Sequence, residues 1–146
     1  MKHLTTLLAA AALAACDGTP ANPAGDFNTT ARELLTLRAG ETKVFAGIEI
    51  AFGGVSGDSR CPVDVVCVWS GNAVAEIGVG PNEGGAGPTV LLPLNTDLTP
   101  RDGTAWGLHV TLVALRPAPR STRTIPPDGY EVDLRITAAP APSRAP

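Results

Sequence analysis

The segment Tyr130-Glu-Val-Asp-Leu-Arg-Ile-Thr137 sets Tyr130, Val132, Leu134 and Ile136 against Glu131, Asp133, Arg135 and Thr137 in strict alternation. Successive side chains of an extended chain point to opposite faces, so this period of two demands a half-buried β-strand; a helix would scatter the four apolar residues around its axis. The same pattern returns at Ile48, Ile50 and Phe52, which alternate with Glu49 and Ala51. Across 108–115, Leu108, Val110, Leu112 and Ala114 share one face, with His109, Thr111, Val113 and Leu115 on the other. Two further strands are expected at 72–79 and 89–94, separated by a Gly-rich loop over 80–88. Pro93 has no N–H to give a ladder, which places the second of these at a sheet edge. The segments 34–38 and 42–46, joined by Ala39-Gly40-Glu41, read as a hairpin. A capping box at Thr30-Ala31-Arg32-Glu33 offers one helical turn as the alternative start.

Sixteen glycines and fourteen prolines, about a fifth of the 146 residues, fit turns and short strands better than long helices. About seven strands with turn signals every 8 to 12 residues or so predict an all-β fold, a small antiparallel β-sandwich. An immunoglobulin-like sandwich is the first choice and a barrel the second. The β-domain is expected to occupy 31–138, a size that holds a core yet gains from a covalent staple.

The ends carry processing and tethering information. Lys2 precedes an uncharged run of Leu, Ala and Thr over 4–15, twelve residues long. Such a run spans about 18 Å as a helix, too short for a hydrocarbon core of about 30 Å. It is a signal segment, 1–15, rather than a membrane span. Its end, Leu13-Ala14-Ala15-Cys16, resembles the lipobox of bacterial lipoproteins. That resemblance implies diacylglycerol transfer to Cys16, cleavage before it and acylation of the new amino terminus. Two or three acyl chains on one residue hold a protein stably at a membrane. Asp17 resembles the inner-membrane retention residue of enterobacterial lipoproteins, a rule that varies between lineages. The expected location is therefore the cell envelope, on the periplasmic side of the inner membrane or at the outer membrane. Residues 16–30 read as the lipidated cysteine and a flexible tether, and 139–146 as a disordered Pro/Ala tail.

Apart from Cys16, the cysteines are Cys61 and Cys67. In an exported chain, two cysteines six positions apart across a Pro-containing turn are expected to form a disulfide. If the strand that follows runs without a bulge, Cys67, Trp69, Ala73, Ala75, Ile77 and Val79 share one face, and Trp69 packs beside the bridge at the edge of the core. Asp58, Arg60 and Asp64 are the candidate binding residues of a rigid loop. The pattern Arg60-Cys61-Pro62, Cys67, Trp69, Gly71 and Ala73 resembles a segment of bacterial lipoproteins and secreted β-domains, close over about 16 residues. The resemblance implies a fold and an envelope location but no activity, so no functional residue carries over from it.

The inventory also bounds the chemistry. A net charge of −3 gives no electrostatic footprint for nucleic acid. Past the signal segment, His109 is the sole histidine and there is no methionine. With the cysteine pair bridged, a single histidine argues against a zinc site, a blue-copper set cannot be assembled, and no haem-attachment motif or phosphate loop is present. His109 is the sole candidate imidazole base. The pairs Asp97/Asp102 and Asn82/Glu83 are read as solvated turn residues. The expected function is a lipid-anchored envelope protein whose β-domain binds another envelope macromolecule or stabilises an assembly without catalysis. The alternatives are an inhibitor of exported hydrolases acting through the Cys61–Cys67 loop, and a small hydrolase using His109.

Overall fold

A computed structural model describes residues 32–83 and 85–138. The expected signal segment 1–15, the lipidated Cys16 with its tether over 16–30, and the tail 139–146 lie outside the described residues. The described chain is built from strands β1 (Arg32–Arg38), β2 (Thr42–Phe45), β3 (Ile48–Asp58), β4 (Ala73–Pro81), β5 (Val90–Asn95), β6 (Asp102–Ala105), β7 (Leu108–Arg116) and β8 (Glu131–Ala138), with one 3-10 turn at Pro127–Gly129.

The strands form two antiparallel sheets of four, ordered β1-β8-β7-β6 and β2-β3-β4-β5. This is the small all-β sandwich that the alternation demands, and the sheets do not close into a barrel. Its connectivity differs from the immunoglobulin first choice. Sequential strands are neighbours throughout both sheets, with β1 returning beside β8, so the described strands form a meander and not a Greek key. β5 lies at an edge, as Pro93 requires.

The inward faces meet in one core. Ile50 and Phe52 of β3 and Ala75, Ile77 and Val79 of β4 are buried against Leu35 and Leu37 of β1, Val110 and Leu112 of β7, and Val132, Leu134 and Ile136 of β8 in the opposing sheet. No polar or charged residue is buried among the described residues.

Three local expectations are corrected. First, 34–38 and 42–46 are not a hairpin: β1 pairs with β8 and β2 with β3, so the Ala39-Gly40 turn carries the chain from one sheet to the other. Backbone bonds hold this corner to both sheets, Ala39 N–H donating to the Tyr130 carbonyl and Gly40 N–H to that of Phe52. Lys43 Nζ, 2.7 Å from the Thr36 carbonyl, satisfies part of the β1 edge across the gap. Arg32 and Glu33, the described half of the capping box, are strand. Second, the tight two-residue hairpins are β2–β3 and β6–β7. Each closes on two residues of positive φ, Ala46-Gly47 and Trp106-Gly107, the backbone that a two-residue turn between twisted strands needs. Third, β7 carries a bulge between Leu112 and Ala114 that shifts the alternation by one. Leu115 therefore turns inward and is buried, and Ala114 is only half-buried.

Candidate functional site

β3 ends at Asp58 and β4 begins at Ala73, its partner in register, so 59–72 is the loop of one long β3–β4 connection. The ladder extends a little way into it: Ser59 N–H donates to the Asn72 carbonyl and Cys61 N–H to that of Ser70, both at 2.7 Å. Between these rungs sits Gly71, at φ +71°. A Cβ there would lie 1.8 Å from the Ser59 carbonyl oxygen, so the loop's two legs can approach this closely only if residue 71 has no side chain. Asn72 ties the loop to its neighbour, its amide donating to Asn95 Oδ1 at 2.7 Å and its Oδ1 accepting from Asp97 N–H at 3.1 Å. The Ser70 hydroxyl also donates to Asp97. Above these rungs the Cys61–Cys67 disulfide closes the ring, with Cα atoms 6.0 Å apart.

The structure places two of the candidate binding residues inside this framework. The Asp58 and Arg60 side chains keep only 11% and 13% of their surface exposed. Arg60 Nε donates to Asp58 Oδ1 at 2.9 Å and its second terminal nitrogen to Oδ2 at 2.6 Å, a bidentate pair. The remaining guanidinium protons reach the Leu115 and Pro117 carbonyls at 2.9 and 3.0 Å, and Tyr130 Oη donates to Asp58 Oδ2 at 3.2 Å. Burial works to raise the Asp58 carboxyl, but the hydrogen bonds and charge of Arg60 outweigh it and hold the carboxyl below its usual range. These two residues therefore clamp the loop base to the end of β7 rather than face outward. Asp64 is exposed, yet it accepts from Ser121 N–H at 2.9 Å and Ser121 Oγ at 2.7 Å, bonds that lower its pKa. Val63 N–H adds a bond to the Pro119 carbonyl at 3.0 Å.

What the loop offers to solvent is apolar. Val63, Val65, Val66, Val68 and Trp69 are all exposed, Val66 completely and Trp69 at 80%. The expectation that Trp69 packs beside the bridge is overturned, because positive φ at Gly71 interrupts the extended run and β4 starts only at Ala73. The alternation of β4 consequently does not reach back to Cys67 and Trp69. Sequence reasoning assigned recognition to the polar residues of the loop and missed its valines. The signal was present as Val63-Asp-Val-Val-Cys-Val-Trp69, a mostly apolar run that spans the second half of a short disulfide ring and the two residues after it.

The other candidates lie apart. His109 is half-exposed on β7, with Nε2 2.6 Å from Oδ2 of Asp102 on neighbouring β6. Its cross-strand partners are Thr104 and Thr137, and neither of these nor any serine or cysteine side chain hydrogen-bonds to His109 among the described residues. Asp102 and Asp97 do not act as a pair, since they bond to His109 and Ser70 respectively. Asn82 and Glu83 line a shallow groove with Thr42, Val44 and Glu49 at the opposite end of the sandwich. Among the described residues no group of three or more His, Cys, Asp and Glu is placed to hold a metal, and no helix is long and apolar enough to cross a membrane.

No protein-family model, curated protein or solved structure matches the chain. The geometry of its own residues is what the functional reading rests on.

Proposed function

We propose that this protein is a lipid-anchored cell-envelope protein acting as a non-catalytic recognition module, with the apolar rim of the Cys61–Cys67 loop as its contact surface. One observation carries the reading: a loop fastened by a disulfide, a bidentate ion pair and strand-like rungs still leaves Val66 and Trp69 in water. Fastening a loop does not by itself require an apolar rim, and a rim of contiguous valines beside a tryptophan gains its free energy when a partner covers it. A preorganised loop loses little conformational entropy on binding, and tryptophan is among the residues that most often dominate an interface.

The anchoring half of the reading rests on Leu13-Ala14-Ala15-Cys16 and the resemblance of this run to the lipobox. The partner is then an exported or envelope protein. An exported hydrolase whose cleft accepts the loop is the inhibitor form of the same reading, and a panel of proteases and lysozymes would reveal it.

The test is affinity capture from solubilised envelope with the full-length chain as bait, alongside Val66→Ser/Trp69→Ser and Cys61→Ser/Cys67→Ser forms. A partner held by the parent chain should be reduced at least tenfold on the Val66/Trp69 variant, whose melting temperature should not change. It should also be weakened on the cysteine variant, where a staple contributing about 2 kcal/mol is lost. Equal capture by the Val66/Trp69 variant would remove the loop from the interface.

A further inference from the structure

Beside the disulfide loop, the chain between β7 and β8 folds back on itself, with Arg123 N–H donating to the Arg120 carbonyl at 3.2 Å. This turn brings two arginines to one cleft of about 260 Å³, which Pro117, Ala118, Ile125 and Pro126 also line. Three other arginines meet carboxylates: Arg38 meets Glu131, Arg60 meets Asp58, and Arg116 meets both Glu131 and Asp133. Neither Arg120 nor Arg123 has a side-chain hydrogen bond or ion pair among the described residues. Arg120 is near enough to Asp64 for its charge to act on that carboxyl, which Ser121 holds by two hydrogen bonds, but the two side chains form no direct ion pair.

Two guanidinium groups that line one cleft with no direct salt bridge are stabilised by an anion that bridges them, and the planar guanidinium fork matches a carboxylate. We infer that this cleft is a carboxylate-binding site, in which Arg120 and Arg123 hold the carboxylate of a partner polypeptide and Pro117, Ala118, Ile125 and Pro126 receive the apolar group next to it. The lining selects among anions. A phosphate presents only hydrated oxygen to apolar walls, whereas a carboxylate with an aliphatic neighbour satisfies both the charge and the wall. The volume suits one such unit and not an extended ligand.

The cleft and the disulfide loop are one surface, because the Pro119 carbonyl and Ser121 bond directly to Val63 and Asp64. The identity of the ligand as part of a protein rests on the recognition reading above; the carboxylate site itself does not. The partner's contact segment is accordingly acidic beside an apolar stretch.

The test is an NMR titration of the full-length chain with N-acetyl-leucine, N-acetyl-leucinamide and inorganic phosphate as separate probes. N-acetyl-leucine should shift the amide signals of 117–129 saturably, with the amide analogue and phosphate each at least tenfold weaker. Arg120→Gln/Arg123→Gln, at two exposed positions, should weaken N-acetyl-leucine at least tenfold and leave distant signals in place. Equal binding of the amide analogue or of phosphate, undiminished binding by the double variant, or no saturable shift in 117–129 would overturn the assignment. Val66→Ser/Trp69→Ser should leave N-acetyl-leucine binding unchanged, so failure of the loop as an interface and failure of the cleft are read separately.

Discussion

Gly71 and Asp58 show how single residues set the geometry of the loop. At position 71 two constraints coincide, a left-handed backbone at φ +71° and a carbonyl 1.8 Å from where a Cβ would be. Gly71→Ala should therefore destabilise the protein by about 3 kcal/mol, since the obstacle is backbone and cannot rotate away. Chemical denaturation checks this, and a change below about 0.5 kcal/mol would mean that the two legs of the loop are further apart than described. Asp58 makes the loop base sensitive to acid. Its carboxyl is held below the usual range in the fold, so its contribution is complete above the unfolded pKa of about 3.9 and is lost as pH falls through the lower folded value. Asp133, lowered first by its hydrogen bond from Arg116, adds to the same acid limb. Asp58→Asn should be less stable than the parent at pH 7 and should lose less stability on acidification below about pH 4. Parallel pH profiles for the two proteins would contradict the clamp.

At the scale of elements, the strands that the sequence makes legible are those whose alternation is unbroken. β8 is the clearest, and the first half of β3 and the body of β4 follow for the same reason. β6 was not visible, because Asp102–Ala105 places one residue in the core and four residues cannot establish a period. Bulges are equally hidden. β3 is expected to end near Phe52 but runs to Asp58 through register shifts at Gly53 and Ser56, which no apolar alternation marks. Nor does a short polar turn reveal whether it joins neighbours in one sheet or crosses between two, which is why the β1–β2 corner read as a hairpin. The same limit applied at the loop: Asp58 and Arg60 read as presented charges because their carbonyl and phenol partners lie in β7 and before β8, far away in sequence. The bulge in β7 is testable through Val113 and Leu115, which an unbroken alternation places on the same outward face. Leu115 is 8% exposed and Val113 is 38% exposed, so the bulge has turned Leu115 inward and left Val113 outside. Leu115→Ala should cost about 2–3 kcal/mol and Val113→Ala less than about 1 kcal/mol, by equilibrium denaturation. Similarly small costs at both positions would restore the unbroken register.

The molecule as a whole is polar along its strands. Arg32 pairs with Thr137 and Leu108 with Ala138 at one end, while Arg38 and Arg116 both pair with Glu131 at the other. The disulfide loop and the Arg120/Arg123 cleft belong to this second end, joined to it by Arg60 and Tyr130. β1 alone, seven residues at about 3.3 Å each, sets the ends about 20 Å apart. The segment preceding Arg32, where the tether and Cys16 are read, joins the domain at the first end. The point where that segment joins the domain and the apolar rim therefore lie at opposite ends of the sandwich. The most direct measurement replaces Val66 with the photo-crosslinking residue p-benzoylphenylalanine in the full-length chain, in the source cell, with Arg135 on the outer face of β8 replaced in parallel. Irradiation should join position 66, and not position 135, to one protein of defined mass. No adduct at 66, adducts to lipid alone, or the same adducts at both positions would contradict recognition through the disulfide loop.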